Sequence, residues 1–210
     1  MLDRIEIVKP EEIEKRSFEI ISEILGDTGF PLLHEPIVKR VIHTTADFEF
    51  AKILSISEAA VENGLKAIKE GGNIVTDTMM AASGINKKEL NKYGGRVVCY
   101  MDDEEIAKRA KACNTTRASF CMEKASGDKN NRIFVIGNAP TALIRLYELI
   151  NEGILFPDLV VGVPVGFVNV VESKELFKTL GIPYIITDGR KGGSNIAAAI
   201  INAMLYMNRE

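Results

Sequence analysis

The chain has 210 residues and two histidines, and one of these, His43, has neighbours suited to chemistry. It lies in the run Arg40-Val41-Ile42-His43-Thr44-Thr45. Pro36 is expected to open a short helix here, with Ile37, Val38, Val41 and Ile42 on one side. At 100° per residue, Arg40 and His43 fall together on roughly the opposite side. The imidazole then points away from the packed stripe, one turn from a guanidinium, with two hydroxyls just after it. A histidine gives or takes a proton near neutral pH, and a neighbouring cation tunes that exchange. The competing reading is a solvated or capping histidine.

Other chemistries lack their residues. Cys99, Cys113 and Cys121 form no C-x-x-C pair, and an odd count argues against a disulfide framework. With two scattered histidines, no metal-ligand cluster is visible. There is no phosphate-binding G-x-x-x-x-G-K-[ST], no G-x-G-x-x-G after a strand and no G-x-S-x-G nucleophile elbow. The net charge of −3 supplies no basic field for nucleic acid. The start, Met1-Leu2-Asp3-Arg4, has no apolar signal core, and the nearly apolar run 159–171 is too short to span a bilayer. A cytoplasmic protein is expected. Hydrophobic residues make up 46% and charged residues 26%, enough for one domain over 1–210 with a sizeable core.

The elements that must position His43 follow from periodicity. Pro10 with Glu11 and Glu12 starts a helix, with Ile13, Ile20, Ile21 and Ile24 as its stripe and Gly26 as its end. Ser17 falls on that stripe and is expected to face inward, bonding a backbone carbonyl or lining a ligand cavity. A strand is expected over 48–54, on alternation at its start alone. Ser55-Ile56-Ser57-Glu58 reads as a capping box for a helix that ends at Gly71-Gly72. A rhythm of short apolar strands and helices then sets in. Strands are expected at 73–76, 96–100, 132–136, 159–163 and 184–187. Helix starts are expected at Asn86, Thr116 and Pro140, with an Ala-rich helix at the end. This is an α/β fold with a mostly parallel sheet.

In such sheets ligands bind at the carboxyl ends of the strands. Asp77, Asp102, Gly137-Asn138, Val165-Gly166 and the run Gly189-Arg190-Lys191-Gly192-Gly193-Ser194 all gather there. Glycines let backbone N–H groups approach a ligand, and helix N-termini favour anions. The ligand class is therefore an anionic small molecule with several carboxylates or phosphates. The alternative for any one loop is that its glycines only make a tight turn. Glu172-Ser173-Lys174 is either a solvated helix face or a set of polar groups at a site mouth.

Taken together, these stretches resemble a known family. The stretches are the His43 run, Gly137-Asn138-Ala139-Pro140-Thr141-Ala142-Leu143, Gly162-Val163-Pro164-Val165-Gly166-Phe167 with Glu172-Ser173-Lys174, and the Gly189–Ser194 loop. Ile74-Val75-Thr76-Asp77 and Thr116-Arg117 are similar too. The family is precorrin-8X methylmutase, and the likeness runs from the first helix to the last. It implies a flavodoxin-like α/β three-layer sandwich, pairing as a homodimer with the ligand near the subunit interface. It implies an isomerase of vitamin B12 biosynthesis that moves a methyl group from C-11 to C-12 of the corrin macrocycle without a cofactor or metal.

In the family, the histidine matching His43 is the proton donor/acceptor, and the positions matching Ser17 and Arg40 contact the substrate. From residue type and loop position, Thr44, Arg117, Gly166, Gly192 and Gly193 join the expected binding group for a tetrapyrrole polycarboxylate. One departure stands out: Ala46-Asp47-Phe48 replaces the expected Gly-Asp-Pro, which leaves the histidine segment intact and the shape of the following turn open. A carrier that binds the tetrapyrrole without chemistry is the alternative, and a nucleotide- or flavin-binding protein is a third reading.

Overall fold

The computed structural model describes residues 6–208; the Met1-Leu2-Asp3-Arg4 start lies outside them. Six strands form one sheet: β1 (Leu54–Ile56), β2 (Asn73–Thr76), β3 (Val97–Val98), β4 (Asn131–Ile136), β5 (Leu159–Gly162) and β6 (Tyr184–Thr187). Their order is β1-β6-β5-β4-β2-β3. The last five are parallel, and β1 closes one edge antiparallel to β6. Without β1 this is the flavodoxin-like order, with its switch point between β2 and β4.

Strand periodicity divides the core into two layers. Ile74, Ile133, Val135, Val161 and Ile185 face one side of the sheet. There they meet α1 (Ile13–Leu25), α2 (Glu35–Thr45), α4 (Ala60–Lys69), α5 (Met79–Gly84) and α11 (Ser194–Met207). Val75, Phe134, Ile136, Val160 and Ile186 face the other side. They meet α7 (Glu104–Ala112), α8 (Arg117–Ser126), α9 (Pro140–Asn151) and α10 (Val170–Lys178). The apolar, Ala-rich α11 packs against α2, α4 and α5, at the centre of its layer.

Capping signals hold where a side chain can reach the free N–H groups of a helix start. Thr116 Oγ1 accepts from Ser119 N–H, and Asn86 Oδ1 accepts from Glu89 N–H to open α6 (Lys87–Asn91). The expected box at Ser55–Glu58 does not form. Tyr184 N–H donates to Ser57 Oγ at 2.8 Å, and the hydroxyl donates back to the Tyr184 carbonyl at 3.2 Å. Ser57 therefore extends the pairing of β1 with β6, and α4 starts later, at Ala60. The strand expected over 48–54 is also corrected: 50–53 is a helical turn, α3 (Phe50–Ile53), and β1 begins only at Leu54. Pairing with β6, which the local pattern cannot show, sets that boundary. The strand expected over 96–100 shortens to β3.

The first helix departs most. Ile21 is buried, but Ile13, Ile20 and Ile24 are 53%, 38% and 61% exposed. The face of α1 laid on its neighbours carries Ile21 and Leu25, and is rotated away from the predicted stripe. Ser17 stands at the border of the two faces, half-buried, with its hydroxyl donating to the Ile13 carbonyl at 2.9 Å.

Candidate active site

The α2 stripe forms as expected. Ile37, Val38, Val41 and Ile42 are buried, which turns Arg40 and His43 out of the core. Arg40 is gripped from three directions. Its guanidinium pairs with the Glu14 carboxylate and lies 4.6 Å from the Phe18 ring centroid and 5.0 Å from that of Tyr206. His43 stacks on the same Phe18 ring, centroids 5.2 Å apart and planes 19° from parallel. Thr44 and Thr45 donate to the carbonyls of Arg40 and Val41, so both hydroxyls are spent within the helix.

The Ala46-Asp47-Phe48 departure ends α2 in a left-handed turn. Ala46 adopts the left-handed conformation, φ 53°, that glycine takes without strain. Lys191 then holds the turn from the β6–α11 loop, bonding Asp47 at 2.5 Å and Glu49 at 2.7 Å. Those carboxylates hold the Lys191 ammonium above the usual lysine range.

His43 opens on a cavity of about 280 Å³ between α2, α5 and α11, lined also by Arg40, Thr44, Gly84, Asn195 and Tyr206. This is close to the lower limit of about 300 Å³ for small-molecule pockets, so a macrocycle must extend beyond it. A second, larger cavity of about 770 Å³ lies at the carboxyl ends of β2 and β4, at the switch point. Arg117, Thr78, Met79, Asn138 and Val168 line it, and most of the lining is apolar. Helix α5 borders both cavities, Met79 on the large one and Gly84 on the small one. Thr78 Oγ1 and Ser194 Oγ, 2.8 Å apart, tie the start of α5 to the start of α11.

Two of the polar groups singled out in the sequence fasten the fold. The buried Asp77 carboxylate accepts from the N–H groups of Gly137, Asn138 and Ala139 at 2.8, 2.9 and 2.7 Å. Burial pushes its pKa up while those three donors pull it down. It fastens the end of β2 to the β4–α9 turn. Lys174 is neither on a solvated face nor at a site mouth: it is fully buried and donates to Thr187 Oγ1 and to the carbonyls of Gly189 and Lys191. Desolvation lowers its pKa to about 8.

Gly192 and Gly193 sit where two loops clasp. Gly193 N–H donates to the Val163 carbonyl at 2.9 Å, and Gly166 N–H donates to the Arg190 carbonyl at 3.3 Å. A Cβ on Gly192 would collide with the carbonyls of Val163 and Pro164, so close approach alone demands glycine there.

The fold thus brings Arg40, His43 and Thr44 to one cavity, with Ser17 on the adjoining helix, and Arg117 to the other. Gly166, Gly192 and Gly193 sit at the carboxyl edge of the sheet. Sequence reasoning missed Phe18, Tyr206 and Asn195. Phe18 lies one turn after Glu14 on α1, a signal that becomes readable only once α1 is known to rest on α2. Tyr206 and Asn195 arrive on α11 from the far end of the chain. Among the described residues no group of three or more His, Cys, Asp or Glu is placed to hold a metal, and no helix is long and apolar enough to cross a membrane.

Comparison with known proteins bears on the chain as a whole. Residues 12–207 match the family model described as precorrin-8X methylmutase. The chain is 46% identical over 197 residues to the cobalt-precorrin-8 methylmutase of Priestia megaterium, covering 94% of this chain and 88% of that one. It is 46% identical over 211 residues to the cobalt-precorrin-8 methylmutase of Salmonella typhimurium, covering 97% and 98%. The crystal structure of precorrin-8x methyl mutase from Thermus thermophilus superimposes with a TM-score of 0.88 at 42% identity, covering 94% of this chain and 96% of that one.

Proposed function

We propose a mechanism from one premise: the chain belongs to the precorrin-8X methylmutase family, isomerases of corrin biosynthesis that shift a methyl group within the substrate. The shift runs from C-11 to C-12 of the macrocycle. His43 is the proton donor and acceptor. It protonates the nitrogen of the ring that carries C-12, which draws electron density from that ring. The methyl group then moves with its bonding pair to C-12, C-11 joins the conjugated system, and the proton returns to His43. Nothing is added or lost. The single observation that supports this role is the placement of His43, turned out of the α2 stripe onto a cavity, beside Arg40.

The substrate proposed is cobalt-precorrin-8, the compound in the names of the two relatives above. Its carboxylate arms are held by Arg40, Arg117 and the Gly192 N–H, while Ser17, Thr44, Gly166 and Gly193, whose donors are engaged within the fold, shape the surface beside them. An arm that reaches Arg40 must displace Glu14, an exposed and so weakly held partner. Residues 1–210 act as a single catalytic domain. Three free thiols suit a reducing cytoplasm. The active form is a homodimer, supported by the exposed apolar side chains Met79, Met80, Phe167 and Val168, two of which border the large cavity.

The test is a visible spectrum and a mass, taken on the protein with cobalt-precorrin-8 and on the same mixture with His43→Ala. Absorption should move to longer wavelength at constant mass with the wild type and stay put with the variant. Unchanged turnover in His43→Ala would remove His43 from the mechanism.

A further inference from the structure

An acid–base histidine is ordinarily oriented by a carboxylate or carbonyl on its second ring nitrogen. His43 has no such partner: among the described residues no hydrogen bond reaches either nitrogen. The side chain is exposed, and among the described residues its specific contact is the stack on the Phe18 ring. The offset stack at 5.2 Å lies within the favourable range for aromatic pairs. Phe18 comes from a different helix, so the stack also ties α1 to the catalytic end of α2.

We propose that Phe18 is the positioning residue for His43, holding the imidazole by stacking so that one orientation faces the cavity between α2, α5 and α11. The inference rests on the acid–base role proposed for His43. The same ring also touches Arg40, but the two dependents differ. Arg40 keeps Glu14 and Tyr206 when Phe18 is lost, whereas His43 keeps no hydrogen bond or ring contact among the described residues. Removing the ring therefore acts on the chemical step more than on substrate binding. On a helix a free histidine side chain spreads over two populated χ1 wells and two broad χ2 wells, so release costs about fourfold in the productive orientation.

The experiment compares Phe18→Leu, which stays apolar and helix-compatible but removes the ring, with Phe18→Tyr, which keeps the ring. In turnover of cobalt-precorrin-8, Phe18→Leu should lose about fourfold in kcat with KM within twofold, and Phe18→Tyr should restore kcat. Proton NMR supplies the independent readout, because the chain has only His34 and His43 and a His43→Asn spectrum assigns them. The ring current of Phe18 should hold the His43 imidazole signals upfield, and Phe18→Leu should return them toward free histidine. An unshifted His43 signal in the wild type, a full kcat in Phe18→Leu, or equal losses in Leu and Tyr variants would each overturn the proposal. The NMR arm needs no substrate. It decides the stack even where His43→Asn leaves turnover intact and the acid–base role is what fails.

Discussion

At the scale of single residues, Lys174 shows how misleading a polar side chain is when read alone. Its ammonium is sealed in the fold and closes the β6–α11 loop through three oxygens. That loop carries Lys191, which holds the turn after His43, and leads through Gly193 into α11. Desolvation brings its pKa to about 8, against an ordinary 10.5. Between those values the unfolded chain keeps a proton that the folded chain has released. Stability from this group therefore rises with pH across that window, by on the order of 3 kcal/mol in full, and is flat below it. Lys174→Met should cost about 2–4 kcal/mol at pH 7.5, where it leaves buried acceptors unpaired. Urea unfolding of both proteins at pH 7.5, 8.5 and 9.5 checks this: the gap in favour of the wild type should widen as pH climbs.

At the scale of elements, the ends of α2 matter most. Its start is set by Pro36 in the first turn, where the missing N–H is harmless. Its end is set by Ala46 at φ 53°, a conformation that costs a side chain about 1 kcal/mol. The Ala46 N–H still donates to the Ile42 carbonyl, and Lys191 secures the residues that follow. Strain is therefore stored three residues from the catalytic candidate. Ala46→Gly should relieve it, raising stability by about 0.5–1 kcal/mol, with some of the gain returned through the greater freedom of glycine in the unfolded chain. A thermal melt reads the result; a lower Tm would show that the turn is held by its ion pairs and carries no strain.

At the scale of the molecule, the sheet order places the large cavity at the β2/β4 switch point, and α11 places the His43 cavity beside it. Neither cavity alone suits a ring with many carboxylate arms. Apolar side chains stand exposed around the first: Met79, Met80, Val165, Phe167 and Val168. The proposed homodimer would seat a second copy there and cover them. Analytical ultracentrifugation should find a dimer in the wild type and a monomer in Met80→Lys/Phe167→Lys, with turnover reduced in the monomer. A dimer that survives both charges would move the interface elsewhere, for example to the open Ile13, Ile20 and Ile24 face of α1.

The sequence by itself determined the layered α/β fold, the five mostly apolar strands and the exposure of Arg40 and His43, because strands buried on both faces read as short apolar runs and the α2 stripe as a period of 3.6 residues. Thr116, Asn86 and Pro140 were legible for the same reason: a cap acts within one turn. The tertiary structure alone decided which face of α1 is buried, that Ser57 extends the edge strand, that Asp77 and Lys174 are fasteners, and that Phe18 stacks on His43. Each of these depends on a partner from a separate element: Phe18 and His43 lie 25 positions apart, and Ser57 and Tyr184 lie 127 apart. No local period encodes such a meeting, because it arises only when the two elements pack.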